Sequence, residues 1–168
     1  MRIFLLGFMG TGKTYWGKQL AAALQWPYFD LDEMIAGLEK QSIAEIFETK
    51  GEEYFRQQEH ALLKQLIKPN RNMILSCGGG TPLFYNNMEL MQQAGRTVYL
   101  KSSIETLNER LKLESDERPL LNGYSQEQLT QYITDKLRER QEVYEEAQIV
   151  LDTESLTLDE LKKETIHV

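Results

Sequence analysis

Gly7-Phe8-Met9-Gly10-Thr11-Gly12-Lys13-Thr14 constrains this chain more than any other stretch. Ahead of it, Arg2-Ile3-Phe4-Leu5-Leu6 is a short apolar run suited to a buried parallel strand. Behind it, Trp16, Leu20 and Leu24 recur at i, i+4 and i+8, one face of a helix. Strand, G-x-x-x-x-G-K-T and helix, in that order, is the context of a phosphate-binding P-loop. The glycines let the backbone turn tightly, so that several N–H groups point at phosphate oxygens. The helix N-terminus adds its positive end, Lys13 neutralises terminal phosphates, and Thr14 offers a hydroxyl to magnesium. Gly10, Thr11, Gly12, Lys13 and Thr14 are therefore the expected nucleotide-binding residues.

The remaining strands and helices set the fold class. Trp26 to Asp32 reads as a second strand ending in two carboxylates, with Asp30 and Asp32 on one side of the pleat. Two helices follow. The first carries Met34, Ile35 and Leu38; the second opens on the capping box Ser42-x-x-Glu45 and ends at Lys50-Gly51. A helix over 52–67, a strand over 73–77 and the triplet Gly78-Gly79-Gly80 come next. A helix over 87–94 and a strand over 97–100 follow, then a helix capped by Ser102-x-x-Glu105. Residues 112–124 read as a loop, 125–147 as a long helix, 149–151 as a fifth strand and the tail as a helix. Strands alternating with helices predict an α/β fold, a three-layer α/β/α sandwich on a roughly five-stranded parallel sheet.

With 168 residues and no linker or repeat, one domain over 1–168 is expected. The formal charge of −7 argues against nucleic acid or an anionic membrane as partner. A single cysteine cannot form an internal disulfide, which fits a reducing cytosol. The apolar start stops at Gly7, too short for a signal peptide, and no run approaches transmembrane length. A cytoplasmic protein, with a monomer as the expected state, is the reading.

In open parallel sheets ligands gather beyond the carboxyl ends of the strands, where Asp30, Asp32, Cys77, the glycine triplet and the P-loop fall. The third strand ends in Ser76-Cys77 and the fourth in Leu100-Lys101, so neither supplies a metal carboxylate. Asp30 is left to serve magnesium, through water, beside Thr14. Asp32 is then free to take a proton or hydrogen bond from an acceptor hydroxyl. The plain alternative is an acidic helix start. Arg140 shares a helical stripe with Ile133, Leu137 and Tyr144, and Arg56 one with Leu63 and Ile67. A charge on an apolar face needs an anionic partner, and the guanidinium fork suits a carboxylate. For Arg56 an internal bridge to Glu59 serves equally well.

With Phe47 and Phe55 these arginines describe a small pocket of apolar walls and cationic clamps. Gly78, Gly79 and Gly80 offer N–H groups with no side chains in the way. Arg118, in the loop, would swing over the phosphates as water is excluded; the alternative is a solvated arginine. Arg110 reaches the nucleotide only if the base lies beside its helix. Cys77 reads as a small buried residue, His60 and His167 as surface residues.

Together these residues resemble the shikimate kinase family. The P-loop, Asp30-Leu-Asp32, Gly51-Glu-Glu-Tyr-Phe55-Arg56, Gly78-Gly79-Gly80, Arg118-Pro-Leu-Leu and Arg140-x-x-x-Tyr144 stand in the family's order and span most of the chain. The resemblance implies a P-loop NTPase fold like that of nucleoside-monophosphate kinases, with an acceptor-binding helical insert over about 33–61 and a lid over about 112–124. It implies transfer of the ATP γ-phosphoryl to the 3-hydroxyl of shikimate, on the route to chorismate and aromatic amino acids. Thr14 and Asp30 would serve magnesium, and Lys13, Asp32 and Arg118 would carry catalysis. Asp32 and the Gly78–Gly80 triplet would hold shikimate, with Phe47 and Phe55 as walls and Arg56 and Arg140 on its carboxylate. Arg110 would flank adenine, opposite Thr153 in the loop after Asp152. One departure is Tyr15-Trp16, bulkier than the residues expected there. The rivals are a gluconate or nucleoside-monophosphate kinase, or a nucleotide switch without chemistry. Against the switch, the chain has neither N-K-x-D nor D-x-x-G.

Overall fold

The computed structural model describes residues 1–113 and 123–166. Five parallel strands form one sheet in the order β2-β3-β1-β4-β5: β1 (Arg2–Leu6), β2 (Tyr28–Asp30), β3 (Met73–Ser76), β4 (Arg96–Lys101) and β5 (Ile149–Asp152). Between β1 and β2 runs α1 (Lys13–Leu24). Between β2 and β3 lie α2 (Leu31–Glu39), α3 (Ile43–Lys50) and α4 (Glu52–Ile67). After a single 3-10 turn at Thr81–Leu83 come α5 (Asn87–Ala94), α6 (Ile104–Leu113), α7 (Gln126–Glu145) and α8 (Leu158–Ile166).

The pleat of β1 divides the core into two layers. Ile3 and Leu5 join Ile74, Val98 and Leu100 against Leu20 of α1 and Leu161 of α8. Phe4 and Leu6 face the other way, onto Leu63, Met91, Leu107 and Ile133 from α4 to α7. Both faces are covered, so every sheet strand can be apolar, as parallel sheets require. Trp16 and Leu24 pack beside fully buried Leu20, as their spacing predicts.

Several boundaries moved, each for a local reason. The second strand stops at Asp30, because its carboxylate caps α2: Oδ1 accepts from the Asp32 and Glu33 amides at 3.1 and 3.2 Å. Asp32 therefore sits in the first turn of a helix and does not share a strand face with Asp30. Leu38, expected inward, is 72% exposed. The cap of α6 is Ser103, whose hydroxyl accepts from the Thr106 amide at 3.1 Å, while Ser102 is turned onto Thr153. The capping box at Ser42 and Glu45 is present, and a second one at Ser125 and Gln128 starts α7. His60 is half-buried, its Nδ1 2.7 Å from Asn87 Oδ1, and so is more than a surface residue. His167 and most of the 112–124 segment, Arg118 included, lie outside the described residues.

Candidate active site

The carboxyl ends of β1, β2 and β3 lie side by side, with Leu5 and Asp30 each paired to Ser76. Chain leaving β1 forms the P-loop, where Gly10 and Gly12 hold φ of 84° and 86°. That left-handed conformation is cheap only for glycine. The loop leads into the N-terminus of α1, which carries no side-chain cap, an anion-binding arrangement. Lys13 Nζ donates to the Gly7 and Phe8 carbonyls at 2.8 and 2.9 Å. Thr11 turns its hydroxyl back onto the Phe8 carbonyl and is buried, so its side chain does not line the cavity above the loop.

That cavity holds about 820 Å³ and is lined by Gly10, Gly12, Lys13, Thr14, Asp30, Asp32, Arg110 and Thr153, among others. Arg110 donates to the Gly10 carbonyl at 3.1 Å, which binds α6 to the loop. Thr14 Oγ1 is 3.4 Å from Asp30 Oδ2. Tyr15 and Trp16 also line this space, edge to face at 5.1 Å. The bulky pair thus belongs to the cavity wall as much as to helix packing.

A second cavity of about 600 Å³ adjoins the first, and Met9, Asp32, Ile43, Gly78, Gly79 and Arg140 line both. Phe47, Phe55, Arg56 and Gly80 line the second alone. Arg56 lies over the rings of Phe47, Phe55 and Phe84, with Phe84 nearest at 4.5 Å. The internal bridge is real too: Arg56 donates to Glu59 at 2.6 Å and to Glu52 at 3.0 Å. Arg56 is therefore both a wall of the cavity and one half of a buried ion pair. Arg140 lies 5.7 Å over Phe8, from the far side.

The glycine triplet is the common backing of these groups, and none of its three φ angles is left-handed. Space explains it. A Cβ on Gly78 would lie 2.7 Å from Asp32 Oδ1 and 2.9 Å from Glu59 Oε1. One on Gly79 would be 3.0 Å from the Arg140 guanidinium, and one on Gly80 2.5 Å from that of Arg56. The Tyr144 hydroxyl donates to the Gly79 carbonyl and fixes the turn to α7.

Glu59 is the residue sequence reasoning undervalued. Wholly buried, it accepts from Arg56 and from the Thr81 hydroxyl at 2.5 Å. The Asn87 side chain in turn donates to the Thr81 carbonyl at 2.9 Å. Its only sequence signal was an acid three residues after Arg56 on a largely apolar helix face. Asp32 Oδ1 is sealed from solvent with no hydrogen-bond partner among the described residues. Burial, then the negative charges of Glu59 and Asp30, push the Asp32 carboxyl up to about 7, against the pull of Lys13 and Arg56. Burial also raises the Cys77 thiol well above its ordinary value, as befits an inert buried cysteine.

The shikimate kinase family profile matches residues 9–168, nearly the whole chain. This chain belongs to the shikimate kinase family. A shikimate kinase of Azobacteroides pseudotrichonymphae genomovar. CFP2 is 42% identical over 160 residues, covering 95% of this chain and 94% of that one. The crystal structure of shikimate kinase from Bacteroides thetaiotaomicron aligns with a TM-score of 0.94 at 34% identity, over 100% of this chain and 99% of that chain. Shikimate kinase from Acinetobacter baumannii, solved in complex with shikimate, aligns with a TM-score of 0.85 at 32% identity, over 97% and 89%. Family membership makes this chain an ATP-using phosphotransferase. Among the described residues, no helix is long and apolar enough to cross a membrane.

Proposed function

We propose that this protein transfers the γ-phosphoryl group of ATP to the 3-hydroxyl of shikimate. The observation that carries the proposal is the pair of adjoining cavities, an amide cradle in one and two guanidiniums flanking the other, with Asp32 where they meet. In this reading nucleotide phosphates lie on the P-loop, with Arg110 and Thr153 toward the base. The acid lies between Arg56 and Arg140 against Phe47, Phe55 and the glycine triplet. The segment 33–61 serves as the acceptor-binding insert and 112–124, with Arg118, as the lid.

Phosphoryl transfer asks the protein for alignment and charge neutralisation, with little covalent work. Lys13 and the loop amides meet the phosphate charge. Asp32, poised near neutrality, takes the proton of the acceptor hydroxyl as the new P–O bond forms and the bond to ADP breaks. Magnesium, bound with the nucleotide, would neutralise phosphate charge. Thr14 and Asp30 suit it: both are hard oxygen donors, and magnesium keeps most of its waters and takes few protein ligands.

A coupled ATP-consumption assay with shikimate, gluconate and nucleoside monophosphates tests the assignment. Turnover with shikimate alone is expected. Turnover with another acceptor would reassign the substrate, and silence with all of them would leave a nucleotide-binding protein without this chemistry.

A further inference from the structure

Six charged side chains line the second cavity: Asp32, Glu52 and Glu59 against Arg56, Lys136 and Arg140. Their charges are not equally available to an incoming anion. Arg56 already faces two carboxylates, Glu59 at 2.6 Å and Glu52 at 3.0 Å. Its hydrogen bonds are directional and can admit a ligand, but its net field at the cavity mouth is largely cancelled. The positive potential felt by an acid approaching from solvent therefore comes from α7. Tyr132, Lys136 and Arg140 stand at i, i+4 and i+8 on that helix, and all three line the cavity.

Lys136 differs from its neighbours in how loosely it is held. Its side chain is 35% exposed, and among the described residues it is ion-paired with Glu139 alone, at 2.8 Å, itself 58% exposed. Exposed pairs of that kind are weak and readily exchanged. The ammonium has a long flexible stem and can leave Glu139 for a better-placed anion, which the tightly bridged Arg56 cannot do without unpairing a buried Glu59.

We propose that Lys136 is a third cation of the acceptor site, drawing the carboxylate of the substrate into the second cavity and assisting Arg140 in holding it. This rests on the acceptor assignment above, and it adds a residue that neither the P-loop nor the arginine pair would reveal. The cation acts on binding, and the transferred phosphoryl group lies at the other end of the acceptor.

Steady-state kinetics of Lys136→Arg, Lys136→Met and Lys136→Glu, with shikimate and ATP varied separately, test it. The side chain lies at the cavity rim, so the fold should survive, as far-UV circular dichroism would verify. The KM for shikimate should rise about three- to tenfold in Lys136→Met, further in Lys136→Glu, and stay near wild type in Lys136→Arg. The KM for ATP should move less than about twofold. Added KCl should depress kcat/KM for shikimate less steeply in Lys136→Met than in wild type, because one screened attraction is gone. An unmoved shikimate KM in Lys136→Glu, or equal rises for both substrates, would overturn the inference while leaving the acceptor assignment intact. Failure of the wild-type protein itself to turn over shikimate would remove the assignment, and Lys136's role with it.

Discussion

Replacing Asp32 with Asn should stabilise the protein and disable it together, and the size of both effects follows from the burial of one oxygen. Asp32 Oδ1 is shut from water with no donor among the described residues, beside the buried Glu59. Its carboxyl is raised from an ordinary 3.8 to about 7. Between those values the folded state keeps a proton that the unfolded chain has released. Stability therefore falls as pH rises from about 4 to about 7, and the deficit is complete above that. A shift of about three pK units corresponds to roughly 4 kcal/mol. Asp32 retains some exposure toward the cavity, and water there reduces the penalty, so about 1–3 kcal/mol is the working expectation. Glu59 is pushed in the same direction by burial and adds to the trend. Asparagine carries no charge to bury, so Asp32→Asn should unfold later than wild type in urea at pH 8, by that amount. Below about pH 3.5, where the carboxyl is protonated in both folded and unfolded chains, the two should nearly coincide, and at pH 5 the gap should be about two-fifths of its pH 8 size. In a chain of this length the pH 8 difference corresponds to about 2–10 °C in Tm. Turnover should fall about 10²-fold or more at every pH, while ATP still binds. Wild-type kcat/KM should climb through pH 7. An advantage for Asn that is equal at pH 5 and pH 8 would trace the gain to packing, and no advantage at either would refute the buried-charge account. Near-normal turnover would remove Asp32 from proton transfer.

Arg140→Ala should raise the KM for shikimate about 10- to 150-fold, the loss of one charge-assisted contact of about 1.5–3 kcal/mol, with the KM for ATP held; an unchanged shikimate KM would reject the carboxylate clamp. Gly80→Ala drives a methyl to 2.5 Å from the Arg56 guanidinium, so it should weaken acceptor binding and cost about 1–3 kcal/mol in denaturant melts. Gly37→Ala, with open space around it in α2, should instead stabilise by about 0.5–1 kcal/mol; equal behaviour of the two would contradict the steric reading of the triplet. Asp30→Asn preserves a good helix cap, so its Tm should stay close to wild type while the magnesium concentration for half-maximal turnover rises. An unshifted magnesium titration would free Asp30 from that role.

What could be read from the chain beforehand was whatever depends on near neighbours. The P-loop, its flanking strand and helix, and the Ser42 capping box are all encoded within a few residues, and sheet strands such as Ile3 to Leu6 are apolar without a break. Asp32 shows where that reading runs out. Two carboxylates after an apolar run suit a strand tip as well as a helix start, and the choice turned on Asp30 using its own side chain to accept the Asp32 and Glu33 amides. The glycine triplet was visible but its reason was not. Access of a ligand to bare N–H groups was the natural reading. In the fold, Asp32 from α2, Glu59 and Arg56 from α4, and Arg140 from α7 press against its three Cα atoms from elements up to about sixty residues away.

That arrangement decides how the site can vary. Each residue of the triplet backs a different functional side chain, so a methyl at any one displaces a specific partner: the carboxylate pair at Gly78, one guanidinium at Gly79, the other at Gly80. The space a side chain would fill is already taken by Asp32 and Glu59, by Arg140 and by Arg56. Interiors packed to this density transmit small shifts without absorbing them. Alanine at the three positions should therefore give three distinguishable kinetic defects: lost proton transfer at 78, and weakened carboxylate binding from opposite sides at 79 and 80. A merely flexible turn would yield three alike.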